Sequence, residues 1–180
     1  VLGMLGGLEG RRVRLAAGDG GVVWEAAEAT LAYLDSLGND KIAGTRVLEL
    51  GAGTGVCGLA CAALGAASVT LTDMPGTLLA LQANLERATG AAALDVQALT
   101  WGDDEQIAQV LSVAAPSQAL DLVLCCDCLY QPVHYPALAA TLARLGPAQA
   151  LVSWQPRGKD EESFLQLARS VGFEVNLVET

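Results

Sequence analysis

Three glycines in a five-residue turn, Gly51-Ala52-Gly53-Thr54-Gly55, follow directly on the apolar segment Val47-Leu48-Glu49-Leu50 and lead into the charge-free stretch 56–64. No other feature constrains the fold as tightly. A short apolar run entering such a turn reads as a buried strand, and the residues after it suit a helix that closes at Gly65. Glycines in the turn let the backbone approach a ligand closely, and a helix starting there aims its first N–H groups at that ligand. Strand, glycine turn and helix are the opening unit of a parallel α/β domain.

The rest of the chain alternates in the same way. A strand over 69–72 ends at Asp73, and Pro75 opens a helix that runs to Arg87. A strand over 95–100 precedes Trp101-Gly102-Asp103, and a helix over 105–113 ends before Pro116. The nearly continuous apolar run 120–126 suits the buried centre of a parallel sheet. A helix over 136–145, a strand over 150–154, a helix over 161–171 and a final strand over 173–178 complete the series. Upstream, 24–37 reads as a helix covering one side of the site. The alternation, without a strong linker, predicts one doubly wound, Rossmann-like α/β sandwich over 1–180, with 1–21 as an N-terminal extension. Beginning at Val1, that extension is expected to be incomplete. Right-handed crossovers bring strand C-termini to one edge, so the glycine turn, Asp73, Trp101 and Asp127 should converge there.

Composition narrows the partners. Ten basic against 20 acidic residues leave a net charge of -10, which disfavours a phosphate backbone and suits a basic protein partner. The arginines Arg11, Arg12 and Arg14 follow the apolar start instead of preceding it, the wrong order for a signal peptide. The uncharged stretch 50–72 is broken by Gly51, Gly53, Gly55 and Gly65 among its glycines, which fits a soluble turn, helix and strand better than a membrane span. Cys57, Cys61, Cys125, Cys126 and Cys128 lie in apolar runs, and His134 is too distant for a zinc pattern, so buried reduced thiols in a cytosolic protein without a metal are expected.

The turn alone leaves two cofactors open. A dinucleotide site has the spacing G-x-G-x-x-G, so that pyrophosphate rests on the helix. Here Val56 follows Gly55 where the third glycine of that pattern would fall. Asp73 supplies a carboxylate about 20 residues beyond the turn, suited to ribose hydroxyls in either an NAD or an adenosyl site. The chain has neither a catalytic histidine pattern nor Tyr-x-x-x-Lys, which counts against an oxidoreductase.

Five blocks then occur in order: Val23-Trp24-Glu25-Ala26-Ala27, residues 47–55, Leu71-Thr72-Asp73-Met74-Pro75, Leu99-Thr100-Trp101-Gly102 and Asp127-Cys128-Leu129-Tyr130. Together they resemble the seven-β-strand (class I) protein-lysine methyltransferases of family 16, the methyltransferase-like 21 type, over 22–178. The resemblance implies S-adenosylmethionine as cofactor, S-adenosylhomocysteine as product and a protein lysine ε-amine as acceptor. It implies that Trp24 lines the cofactor pocket, that Gly51, Ala52 and Gly53 contact the methionine portion with Glu49 leading into them, and that Asp73 holds the ribose. Trp101 would flank the adenine, and Cys126 would meet the cofactor through backbone and a small side chain. Asp127 and Tyr130 would form the catalytic, substrate end, orienting a neutral amine for in-line displacement without a strong general base. A cytoplasmic or nuclear monomer acting on a chaperone or translation factor is the family-level expectation, with no nucleic acid and no membrane.

Two departures stand out. Ala88 occupies a position where relatives often have a second asparagine, one turn after Asn84, and the seventh, antiparallel strand is expected to be missing after Thr180. An open sheet edge of that kind is a liability. It keeps a non-catalytic binding module in play, beside a methyltransferase acting on histidine, a protein N-terminus or a small molecule.

Overall fold

The structure is a computed structural model that describes residues 25–88, 92–116 and 119–177. Helix α1 (Glu25–Leu37) and the short α2 (Asn39–Ile42) precede strand β1 (Arg46–Leu50). There follow α3 (Val56–Ala63), β2 (Ser68–Asp73), α4 (Leu78–Leu85), β3 (Ala93–Ala98), α5 (Asp104–Ala114) and β4 (Leu122–Cys126). The chain continues through a 3-10 turn (Pro132–His134), α6 (Tyr135–Leu145), β5 (Gln149–Ser153) and α7 (Glu161–Ser170). The five strands form one parallel sheet in the order β3-β2-β1-β4-β5. The order reverses at β1 and β4, so a crevice opens beyond their C-terminal ends.

Alternation along the central strands builds two cores. Val47 of β1, Val69 and Leu71 of β2 and Leu122 and Leu124 of β4 pack with α1 to α4, through Leu31, Leu34, Ile42, Leu59 and Leu81. Leu48, Leu50, Val123 and Cys125 face the other way, against Ile107 of α5, Leu138 and Leu142 of α6 and Phe164 of α7. Both faces are therefore covered, which is why the strand segments read as continuous apolar runs.

The expected doubly wound α/β architecture is present, with differences at the margins. The helix expected from Pro75 starts only at Leu78, because residues 75–77 form a turn closed by Thr77 N–H donating to the Met74 carbonyl at 3.0 Å. The expected strand 173–178 is not a strand over its described part. Residues 173–176 alternate between half-buried and exposed, and Phe173 and Val175 pack on the core, but the segment pairs with no described strand. Alternation records a half-buried face; a strand also needs a hydrogen-bonded neighbour. Neither α2 nor the 3-10 turn was expected.

Candidate functional site

The glycine turn closes on itself and on its neighbours. Ala52 N–H donates to the Thr72 carbonyl at 2.9 Å, Gly55 N–H to the Ala52 carbonyl at 2.7 Å, and Gly53 N–H to Asp73 Oδ2 at 2.7 Å. Asn84, buried on α4, donates from Nδ2 to the Thr54 carbonyl at 3.0 Å. Gly51 has φ +61°, and a Cβ there would lie 3.1 Å from Cys128 Sγ and 3.2 Å from Trp101 Cζ2. A side chain there would crowd both residues and sit on a left-handed backbone that glycine adopts without strain.

Glu49 is 2 % exposed, and its Oε2 accepts from Gly58 N–H at 2.8 Å, inside the first turn of α3. Of the first N–H groups of α3, expected to aim at a ligand, that of Gly58 is instead taken by the Glu49 carboxyl, and the turn amides of Ala52, Gly53 and Gly55 by Thr72, Asp73 and Ala52. A pyrophosphate resting here would face two carboxyl groups where a dinucleotide site offers bare donors. Burial, and then the neighbouring Cys126, push the Glu49 carboxyl well above its ordinary range.

Around this turn lies a cavity of about 470 Å³, within the roughly 300–1,000 Å³ typical of small-molecule sites. Glu49, Gly51, Ala52, Gly53, Asp73, Trp101, Cys126, Asp127 and Tyr130 all line it. Every expected site residue that the structure describes is thus brought to one place; Trp24 lies outside the described residues. Met74, His134 and Arg157 line the same cavity and were not anticipated.

Asp73, at the end of β2, divides its carboxylate between two amides, Gly53 N–H through Oδ2 and Met74 N–H through Oδ1, both at 2.7 Å. Trp101 follows β3 and is held by Gly102 N–H donating to the buried Thr141 Oγ1 of α6 at 2.8 Å. Its ring meets that of His134 edge to face, with centroids 6.4 Å apart. An indole flanked by a second ring offers a flat wall suited to a heteroaromatic base.

A thiol cluster lies under the turn. Carboxyl and sulfur atoms of Glu49, Cys57 and Cys126 come within 4.8 Å of one another. Cys57 Sγ donates to the Ala27 carbonyl at 3.8 Å. Interaction with Cys126 and burial push the Cys57 thiol above its usual range, while interactions with Cys57 first, then Thr30 and Ser153, pull Cys126 below it. All five cysteines are free thiols, four of them buried.

At the end of β4 the backbone turns sharply. Asp127 has φ +58°, an uncommon conformation that Asp tolerates better than most residues. Its N–H donates to the Ser153 carbonyl at the end of β5, at 2.8 Å. The Asp127 side chain is 7 % exposed and forms a bidentate ion pair with Arg157, Nη1 to Oδ1 at 2.7 Å and Nη2 to Oδ2 at 2.8 Å. Tyr130 is 46 % exposed at the rim, and burial of its inner part, followed by Cys128 and Asp73, raises its phenol above the ordinary value. It is therefore not a packing residue. Arg157 carries no motif; the one available signal was its place just after a strand C-terminus, where site residues gather. His134 had the same weak signal, following the D-x-x-Y block by a few residues.

Comparison with known proteins gives a consistent picture. A family model described as lysine methyltransferase matches residues 13–171. Protein N-lysine methyltransferase METTL21A of Danio rerio is 36 % identical over 168 residues, covering 88 % of this chain and 73 % of that protein. EEF1A lysine methyltransferase 3 of Mus musculus is 38 % identical over 127 residues, 69 % of this chain and 50 % of the relative, so the chain spans only half of that protein. Among solved structures, magnesium protoporphyrin IX methyltransferase from Synechocystis PCC 6803, crystallised with bound SAH, superposes with a TM-score of 0.53 at 18 % identity. That similarity covers 82 % of this chain and 62 % of the other.

Proposed function

The chain belongs to the lysine methyltransferase family, and we propose from that premise that its cavity takes S-adenosylmethionine and transfers the methyl group to a lysine ε-amine of a protein. The observation that carries this reading is the occupied glycine turn. Glu49 and Asp73 place carboxyl oxygens on amides that a pyrophosphate would need, which favours a cofactor without phosphates. When bound, S-adenosylmethionine supplies a methyl group on a positively charged sulfonium and leaves as S-adenosylhomocysteine.

The residues divide the work by position. Gly51, Ala52 and Gly53, with Glu49 beneath them, form the wall for the amino-acid portion, and Asp73 faces the ribose hydroxyls with its remaining lone pairs. Trp101, braced by His134, flanks the adenine, and Cys126 lines the floor. Asp127 and Tyr130 stand at the acceptor end. There the Asp127 carboxylate orients the neutral ε-amine and offsets the positive charge that forms on its nitrogen as the methyl is gained, and the half-exposed Tyr130 guides it in from solvent, where its proton is lost.

The partner is a protein with a basic segment, to which a net charge of -10 is complementary. A relative named EEF1A lysine methyltransferase 3 is in keeping with a protein substrate, and we keep a chaperone or translation factor as the class proposed for it. Five free thiols support a reducing compartment, the cytosol or nucleus, and we assign a monomer of one domain. Among the described residues no helix is long and apolar enough to cross a membrane.

The test is transfer of tritiated methyl from S-adenosylmethionine into cell lysate, followed by mass spectrometry of the labelled band. Label on a lysine is expected. Label confined to nucleic acid, to histidine or to small molecules, or failure of the folded protein to bind S-adenosylmethionine in calorimetry, overturns the assignment.

A further inference from the structure

Arg157 belongs to no motif, lies 30 residues from Asp127 in the chain, and is nonetheless its principal partner. We infer that Arg157 is a positioning residue for methyl transfer, fixing the plane of the Asp127 carboxylate against the incoming amine. The inference rests on the reading of Asp127 as the acceptor-end carboxylate.

The last torsion of an aspartate side chain is soft, so a carboxylate held by its backbone alone still rotates about the Cβ–Cγ bond. Two parallel N–H···O bonds from one planar guanidinium remove that freedom, which a lysine in the same place could not do. The bond from Gln155 N–H to Oδ1, at 3.5 Å, is too long to set the plane unaided. The guanidinium also balances a carboxylate that is almost fully buried and would otherwise be costly to keep charged. Both partners line the cavity, so the ion pair faces the place where the reaction occurs.

Arg157 is itself held from behind. Glu161, at the start of α7, accepts Arg157 N–H at 2.9 Å through Oε1 and Lys159 N–H at 3.2 Å through Oε2. Those backbone bonds, that from Arg157 foremost, keep the Glu161 carboxyl below its ordinary range, so it is a charged acceptor at neutral pH. The hydroxyl of Tyr135, 1 % exposed, donates to the carbonyls of Leu129 at 3.1 Å and Lys159 at 3.2 Å. It thereby ties the D-x-x-Y loop to the loop carrying Arg157. Arg157 Nη2 lies a further 3.4 Å from Gln155 Oε1. The two loops are joined at side chain and backbone, so the position of Asp127 is determined jointly from β4 and from the loop after β5. An acceptor misplaced by about 1 Å in a displacement reaction costs on the order of 100-fold in rate, which is the reason for such a brace.

The test compares Arg157→Ala and Arg157→Lys with the unaltered protein in the tritiated-methyl assay on lysate, varying S-adenosylmethionine. Arg157→Ala is expected to lower apparent kcat by about 10- to 100-fold while its calorimetric Kd and apparent KM for S-adenosylmethionine stay within about twofold. Arg157→Lys, which keeps the charge and loses the fork, is expected to recover part of that rate. A merely structural residue would damage cofactor binding along with turnover, and that outcome overturns the inference. So does an unchanged rate in Arg157→Ala, or a raised one, the latter meaning that the guanidinium occupies the lysine's place. Asp127→Ala serves as the reference. If it too transfers at the normal rate, the reading of the acceptor end has failed; if it is inactive while Arg157→Ala is active, the positioning role alone has failed.

Discussion

The carboxylate of Asp73 reaches back 20 residues to accept the amide of Gly53 at 2.7 Å, so the end of β2 and the glycine turn after β1 are one unit. The same carboxylate accepts Met74 N–H, and it faces the cavity. Removing it therefore loosens the turn and withdraws the group assigned to the ribose. Asp73→Ala is expected to weaken S-adenosylmethionine binding by about 10- to 100-fold, the loss of one carboxylate hydrogen bond at about 1.5–3 kcal/mol. Isothermal calorimetry reads this directly. An affinity within twofold of the original refutes the assignment of Asp73.

Asp127 separates binding from transfer. Its carboxylate pairs with Arg157 and is the group assigned to the acceptor, whereas that of Asp73 holds the glycine turn. Asp127→Ala should lower the rate of methyl transfer by about 100-fold or more while cofactor affinity changes by less than about threefold. The variant also removes the bidentate Arg157–Asp127 ion pair, so a loss of stability of about 1–3 kcal/mol is expected alongside. Normal turnover would remove the D-x-x-Y motif from the mechanism.

The part of this site carried by short-range pattern could be read from the chain. A glycine turn after an apolar run, an aspartate closing the next strand and a Trp-Gly pair after the third are all local statements, and each lines the cavity as expected. Arg157 could not be read that way, because its meaning lies in a bidentate contact to a residue 30 positions earlier and its own neighbours, Pro156 and Gly158, suggest only a loop. Residues 173–177 failed for a related reason. Phe173 and Val175 have the two-residue period of a strand, but strand formation depends on a neighbour elsewhere in the fold. The acceptor of Gly58 N–H on α3 could not be read either, because it is the side chain of Glu49 on the preceding strand.

Gly58 illustrates a constraint that pattern hides. It sits inside α3, where a helix interior ordinarily prefers alanine, yet an added Cβ would lie 2.4 Å from Leu71 Cδ2, 2.8 Å from Glu49 Oε2 and 3.0 Å from Val69 Cγ1. The helix is pressed onto the sheet at that residue. Gly58→Ala is expected to destabilise the protein by about 1–3 kcal/mol despite its better helix propensity, lowering Tm by about 2–10 °C in a domain of this size. Thermal unfolding followed by circular dichroism checks it, and a raised Tm would show that helix and sheet can separate at no cost.

Glu49 yields a prediction whose sign depends on pH. Burial raises its folded-state carboxyl well above the unfolded value of 4.5, so the folded protein holds a proton that the unfolded chain releases as pH rises. Below the unfolded value both states are protonated and the group costs nothing. Above it the penalty grows with pH until the folded value is passed, the reverse of a salt-bridged carboxylate. Glutamine keeps the oxygen that accepts Gly58 N–H and cannot ionise. Glu49→Gln should therefore have a Tm advantage that is small at pH 5 and larger at pH 8, measured by scanning calorimetry at both. An advantage that shrinks as pH rises would mean that Glu49 is held as a stabilised carboxylate. In that case its charge would bear on the cofactor's cationic centre, and the same variant would lose affinity for S-adenosylmethionine.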